Sequence, residues 1–444
     1  MDLAEAQTEE DVLNRKNFAQ IGIVALLAAS AAGSALAAPS CGTDPVVLNS
    51  YFETGFPLPT ELSKEFTKQF PNVTFSIKED LFATLMENSP RVLSGDNPPD
   101  LIRLPSISDL VKDGLLKNLD DYATAFGWDK YPPAQLAQNR VADGGSPRGE
   151  GSLYAMGLNY SMTGIFYNKA LAAKIGMTKP PETVAELEDL MAKAKAANIP
   201  PIIIWNKPVV GLTFPLQNLM GSYGDPAAVN DWIFQRKGAD IDTPANLTAS
   251  QHLEQWIKSG YFQDDINSVD YATAMSRFIG GDGLFLFNGD WESGNLDKQM
   301  AGNVGFLLMP PAEAGGKHAA MSAPLTYGIG ANAKNADCAA FFLNWVATNE
   351  EARKIDVAVG GSNPGGPVDL PLPAVTPGSV TEQTLNAGTT IAKDNGAMDF
   401  IANATGAIYA EAWTPELQKM VGGRQTAEGM LKAVQAEYVK ELSR

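Results

Sequence analysis

The feature that most constrains this chain is the order of apolar runs beginning at Val46: strand, helix, strand, helix, strand. Val46 to Phe52 reads as a buried strand, and Leu62, Phe66 and Phe70 then recur on one helical face. Val73 to Ile77 alternates as a second strand. Leu101 to Leu104, behind the turn Pro98-Pro99-Asp100, is a third, with a helix predicted to start at Ser106 and Asp109 in its capping-box position. This alternation predicts an α/β architecture with ligand sites at the carboxyl ends of strands.

The rest of the chain keeps the same style. Gly164 to Tyr167, Pro201 to Trp205, Leu284 to Phe287 and Ser322 to Ile329 read as strands. Thr183 and Glu186 form a capping box, and helices carrying Trp232, Trp256 and Phe278 read as core contributors. Cys338, Phe341, Phe342 and Trp345 share one side of a later helix, and the last helix starts after Thr426 and is expected to bury Leu431, Val434, Tyr438 and Leu442. Gly360 to Pro373 is a Gly/Pro-rich segment without period. A length of 444 residues exceeds one compact core and predicts two domains. No repeat of 20 to 50 residues is present, which argues against a solenoid or an adhesive stalk.

Ile21 to Ala38 is apolar, rich in small residues, preceded by Arg15 and Lys16 and closed by Ala35-Leu36-Ala37. It reads as a signal peptide over residues 1–37, with a membrane anchor as the alternative. The acidic stretch 1–11 does not fit a signal, so the natural start is expected near Val12 or Leu13. A net charge of −18 argues against nucleic acid, which requires a basic face. The two cysteines, Cys41 and Cys338, have two readings: lipidation of Cys41 just after the signal, which Pro39 and Ser40 disfavour, or a disulfide in an oxidising exterior.

An ordered set of short patterns gives the chain a family likeness. They are Pro99-Asp100-Leu101-Ile102 before Lys112-Asp113-Gly114-Leu115-Leu116, Leu153-Tyr154-Ala155-Met156 before Phe166-Tyr167-Asn168-Lys169, and Pro180-Pro181-Glu182-Thr183-Val184. Phe287-Asn288-Gly289-Asp290-Trp291, Asn332-Ala333-Lys334-Asn335 and Gly423-Arg424-Gln425-Thr426 follow. In this order they resemble the family 1 extracellular solute-binding proteins of ABC transporters, the group that includes the maltodextrin-binding proteins.

That resemblance implies a two-lobe α/β periplasmic-binding-protein fold of type II-like topology, with three crossings and a ligand cleft between the lobes. The crossings map near Tyr160 to Met162, near Ser322 to Leu325 and within Gly360 to Pro373. One lobe then comprises 45–161 plus 326–362, and the other 162–325 plus 363–444. The strand at Thr326 to Ile329 is expected to run antiparallel to the first strand and end at the edge where Val46 begins, which brings Cys338 near Cys41 and favours the disulfide. The implied function is capture of a mono- or oligosaccharide and delivery to membrane permease subunits, by an exported monomer in the periplasm or at the outer face of the cytoplasmic membrane. No cofactor or nucleic acid is implied.

Sugars offer C–H faces to aromatic rings and hydroxyls to carboxylates, amides and Arg. Trp291, after a buried strand, matches a family position where an aromatic stacks on sugar; packing under its loop is the alternative. Asp290 either accepts sugar hydroxyls or caps the next helix. Tyr51 and Glu53 project opposite to Phe52 at the end of the first strand, and Glu53 is either a ligand contact or a solvated loop acid. Arg103 reaches the ligand or pairs with an acid. Tyr160 and Ser161 lie at the first crossing, Tyr327 at the second, and Trp205 at a strand end. Tyr409 and Trp413 lie where the family supplies another stacking aromatic, with a helix core as the alternative for Trp413.

The competing class is a secreted carbohydrate-active hydrolase. Carboxylate pairs arise by chance among 51 acidic residues. The two histidines, His252 and His318, fit no zinc motif, and no Gly-x-Ser-x-Gly elbow occurs. Both histidines are expected to be exposed or satisfied. Gly280-Gly281-Asp282-Gly283 lacks the Lys-Ser/Thr of a phosphate loop and reads as a turn.

Overall fold

The computed structural model describes residues 38–207, 211–367 and 369–443. The signal segment and the start site read from the sequence lie outside these residues. We label the elements that frame the cleft: β1 (Val46–Glu53), α1 (Leu58–Gln69), β2 (Val73–Asp80), α2 (Phe82–Leu93), β3 (Leu101–Arg103), α3 (Ser108–Lys112) and β4 (Ala155–Asn168). These are followed by α4 (Val184–Ala196), β5 (Ile202–Ile203), α5 (Thr213–Tyr223), β6 (Phe285–Gly289), β7 (Val304–Leu307), β8 (Ala320–Gly328), α6 (Ala336–Thr348) and α7 (Ala427–Leu442).

The strands follow one path, β2-β1-β3-β8-β4-β6-β5, with β7 beside β4. Packed cores lie on two halves of this path. One half has two clusters, the larger gathering Leu48 to Leu158 and Leu325 to Ala352, including Phe66, Trp128 and Phe342, and the smaller gathering Tyr51 to Ala155, including Leu85 and Ile102. The other gathers Met162 to Met321 and Val380 to Tyr438, including Trp232, Trp256 and Trp413. The chain has two lobes.

Two of the connections between the lobes are continuous strands, β4 and β8. Residues 155–162 of β4 pair antiparallel with β8, whereas residues 163–168 pair with β6 on one side and β7 on the other. The partner exchange falls at Met162/Thr163. Pro324, which has no N–H to give the ladder, coincides with a register shift in β8 at the same level. Tyr160 also bonds Asn363 through the backbone, so the segments predicted as crossings run side by side here.

Local signals account for several helix starts. Thr183 accepts a hydrogen bond from the Glu186 amide at 3.1 Å, and Thr426 one from the Gly429 amide at 3.1 Å. Ser106 differs from expectation: α3 begins at Ser108, its cap residue is Ile107, and the Ser106 hydroxyl has no hydrogen-bond partner. Leu442 differs too, being 46% exposed at the end of α7. β8 runs antiparallel to β3, which separates it from β1. The Cys41–Cys338 disulfide nevertheless forms, with Cα atoms 4.2 Å apart, because Cys338 lies in α6 while Cys41 lies ahead of β1. No helix among the described residues is long and apolar enough to cross a membrane.

Candidate ligand cleft

Between the lobes, aromatic rings from both sides approach one another. Phe56, in the turn after β1, lies 6.3 Å from Trp291 between ring centroids. Phe82, at the start of α2, lies 6.4 Å from Phe400. Phe214, in the first turn of α5, bridges the second pair of walls at 5.8 Å from Trp291 and 6.4 Å from Phe400. The five rings form a chain from one lobe through the other and back. Trp291, Phe56, Phe82 and Phe400 keep part of their surface exposed.

Trp291 is held from behind. Its Nε1 donates to the Tyr271 hydroxyl at 2.9 Å, and Tyr271 donates to Glu292. Trp205 backs this pair, edge-on to Tyr271 at 4.6 Å and to Phe214 at 5.6 Å. Gly289 is needed for the fold-back, since a Cβ there would run into the Trp291 indole. Burial pushes the Glu292 carboxyl above its ordinary range, opposed by the Tyr271 hydrogen bond.

The first-lobe wall carries charge. Arg103 Nε meets Glu53 Oε2 at 3.2 Å, with the two side chains 12% and 10% exposed, and its Nη1 donates to the Leu104 carbonyl at 2.7 Å. The guanidinium lies 5.9 Å over the Phe82 ring. Burial raises the Glu53 carboxyl above its ordinary value, opposed by Arg103. Of the two sequence readings of Arg103, the structure shows the pairing with an acid, and that acid is Glu53.

Several predicted residues do other work. Tyr51 turns to the sheet edge, where its hydroxyl donates to Asp80 at 2.7 Å and Lys78 covers its ring. Tyr160 packs against Gly365 and donates to the Gln135 carbonyl at 3.3 Å. Ser161, Ser362 and Asp290 make a buried hydroxyl–hydroxyl–carboxylate chain at the crossings, with links of 3.0 and 2.7 Å. Asp290 thus neither caps a helix nor faces the cleft; burial pushes its carboxyl well above the ordinary range. Tyr327 is fully buried, edge-on to Phe52 in the first core. Trp413 is fully buried, its Nε1 donating to Thr213 at 3.0 Å, which is the helix-core alternative. Tyr409 is buried behind Phe400, 5.5 Å away, and shares Thr213.

Of the histidines, His252 pairs with Glu188 at 2.7 Å and stacks on Tyr223. His318 is half-buried with an unpartnered Nδ1, contrary to expectation. Phe56, Phe82, Phe214, Phe400 and Tyr271 were not predicted as site residues. The signal available was that Phe56 and Phe82 closely follow strand ends, as Trp291 does.

The comparisons with known proteins agree with this architecture. The family described as bacterial extracellular solute-binding protein matches residues 53–353, more than half of the chain. This chain belongs to that family. A probable sugar-binding periplasmic protein of Rhizobium meliloti (strain 1021) is 31% identical over 214 residues, 47% of this chain and 48% of the relative. The match thus spans about half the length of that curated relative. Among solved structures, a chitin oligosaccharide binding protein superimposes with a TM-score of 0.74 at 19% identity, covering 90% of this solute-binding protein and 100% of the other. The GacH receptor of Streptomyces glaucescens, solved unliganded and with acarbose, gives 0.71 at 17% identity, covering 90% and 99%. At these identities the likeness is one of fold.

Proposed function

We propose that this solute-binding protein captures a neutral saccharide between its lobes and presents it to membrane permease subunits of an ABC importer. The observation that carries this reading is the run of rings from Phe56 through Trp291, Phe214 and Phe400 to Phe82, beside the Glu53–Arg103 pair. Ring faces suit sugar C–H surfaces, and charged hydrogen-bonding groups suit sugar hydroxyls. The relatives named as sugar-binding support the same solute class.

Trp291, Phe56, Phe214, Phe82 and Phe400 form the stacking surfaces, and Glu53 and Arg103 the polar contacts. Tyr271, Trp205 and Tyr409 position the aromatic wall. The lobes are 45–161 with 326–362, and 162–325 with 363–444, a division supported by the membership of the two cores. A sugar touching both walls does so only when they are close, so it favours the closed arrangement.

The protein acts as an exported monomer. A Cys41 sulfur engaged by Cys338 has no valence for a lipid thioether, which supports a freely diffusing form. Tryptophan fluorescence during titration with mono- and oligosaccharides, with product analysis alongside, tests the function. A saturable change without turnover is expected; released product, or silence across the panel, would sink it.

A further inference from the structure

One loop of the first lobe reaches deep into the second. It runs from residue 142 to 151 between the two-residue strands Arg140–Val141 and Ser152–Leu153, and Val141 and Leu153 pack in the first-lobe clusters. On this loop the Arg148 side chain is 4% exposed, and it meets Asp399, which is 0% exposed, at 2.8 Å. Asp399 directly follows Met398 of the second core. The Arg148 amide donates to the Phe234 carbonyl at 2.9 Å, and its guanidinium lies 5.3 Å over the Phe234 ring. Gly149 permits this approach, since a Cβ there would lie 3.0 Å from that ring and its φ is +84°.

The guanidinium is used as a fork. Nη2 donates to Asp399 Oδ2 at 2.8 Å and to the Gln138 carbonyl at 2.6 Å, and Nη1 donates to the Asn403 carbonyl at 3.2 Å. Asp399 and Asn403 together hold the turn that carries Phe400. Asp399 Oδ1 accepts from the Phe400 amide at 2.7 Å and from Asn403 Nδ2 at 2.8 Å, and the Asn403 amide donates to the Phe400 carbonyl at 2.8 Å. In the other direction, Gln138 Nε2 donates to the Ser322 carbonyl of β8 at 2.8 Å. A run of hydrogen bonds therefore leads from a crossing strand, through Gln138, Arg148 and Asp399, to the backbone of a cleft ring.

Stability alone does not call for this arrangement. A buried ion pair recovers little net free energy over apolar residues of similar volume, because both charges must leave water. What it supplies is direction: a planar guanidinium fixes several acceptors at set angles, which the point charge of a Lys cannot do. The acceptors here come from both lobes, and two of them flank Phe400.

We infer that Arg148 is a positioning residue for ligand capture: from the first lobe it seats the turn at 399–403 of the second, and so fixes the Phe400 ring in the cleft wall. The inference rests on the reading of Phe400 as a stacking surface, and it adds a residue that acts through that ring without touching the ligand.

Arg148→Lys keeps the charge and loses the fork. In hydrogen exchange of the ligand-free full chain, read by mass spectrometry, peptides covering 399–404 should exchange about threefold faster or more in this variant, while those of β6 and α6 keep their rates. Maltotriose, raffinose and diacetylchitobiose serve as probes in calorimetry. With each that binds, Arg148→Lys weakens affinity about tenfold and Phe400→Ala does so by a similar factor, whereas the double variant stays within about twofold of Phe400→Ala alone. A merely structural role for Arg148 predicts losses that multiply. Thermal melts establish that each variant is folded; if Arg148→Lys is not, the pair Arg148→Gln with Asp399→Asn, which removes both charges together, takes its place. Unchanged exchange at 399–404, or multiplied losses, overturns the inference and leaves saccharide capture standing. Silence of all three sugars counts against the saccharide reading, and the exchange rates then decide the seat of Phe400 by themselves.

Discussion

The two walls of the cleft are built on opposite plans. The first-lobe wall places an ion pair, Glu53–Arg103, on strand ends and lays it over the Phe82 ring. The second-lobe wall is made of rings packed on rings, with Trp291, Phe214 and Phe400 backed by Tyr271, Trp205 and Tyr409. On the proposed saccharide reading, charge on one side and polarisable faces on the other divide the work: the ring wall supplies contact area, and the charged wall reads hydroxyl positions. Arg103 Nη2 and Glu53 Oε1 remain outside the pair's own bonds. A ligand can therefore use them without breaking the pair.

Removing one member of the charged wall has the largest expected effect, and it falls on folding. Arg103→Ala leaves Glu53 buried without its cation, a change that typically costs about 3–5 kcal/mol. Partial exposure places this pair near the lower figure. The pH dependence follows from the raised Glu53 carboxyl. A group whose folded pKa lies above its unfolded value binds more protons in the folded state, so its contribution is fully present below the unfolded pKa and is lost as pH rises through the folded one. Without Arg103 that carboxyl rises further. Urea unfolding at pH 4 and pH 7 should show the variant's deficit growing with pH; a deficit independent of pH would detach Glu53 from the effect.

The ring wall should behave in the reverse manner. Trp291→Ala removes a partly exposed indole from the end of β6, so folding changes little while sugar affinity falls roughly 100-fold, about 2.8 kcal/mol. Equal losses in melting temperature and in affinity would make Trp291 a packing residue and remove the contrast between the walls.

The elements were legible because periodicity is a local property. Val46 to Glu53, the caps at Thr183 and Thr426, and the helix around Cys338 follow from spacing and residue type alone. The cleft was legible only where a strand end announced itself, as at Trp291. Phe214 and Phe400 look like ordinary core residues until the two lobes bring them to one opening. Tyr327 and Trp413 show the opposite failure, since lying near a crossing or at a family position does not say which side of the backbone a ring takes. Tyr327 takes the face shared with Phe52 and enters the first core. Asp290 sits one residue from Trp291 and yet bonds across to Ser362, because a single turn of 3-10 helix at Asp290–Glu292 sends neighbours in different directions.

The smallest expected effect concerns how the ring wall is held. Tyr271 carries three bonds with one hydroxyl, accepting from Trp291 Nε1 and Asn288 Nδ2 and donating to Glu292. Tyr271→Phe keeps the ring that packs on Trp205 and deletes only these bonds. A neutral hydrogen bond contributes about 0.5–1.5 kcal/mol net, so affinity should fall about two- to tenfold. Glu292 also loses a donor that opposes its burial, so its carboxyl should titrate still higher. The weakened binding should therefore be accompanied by a shift in the pH dependence of tryptophan fluorescence. Loss of affinity without that shift would mean that the indole is positioned by Phe214 and Phe56 alone. The aromatic wall would then owe its geometry to packing, and the polar link behind it would be incidental.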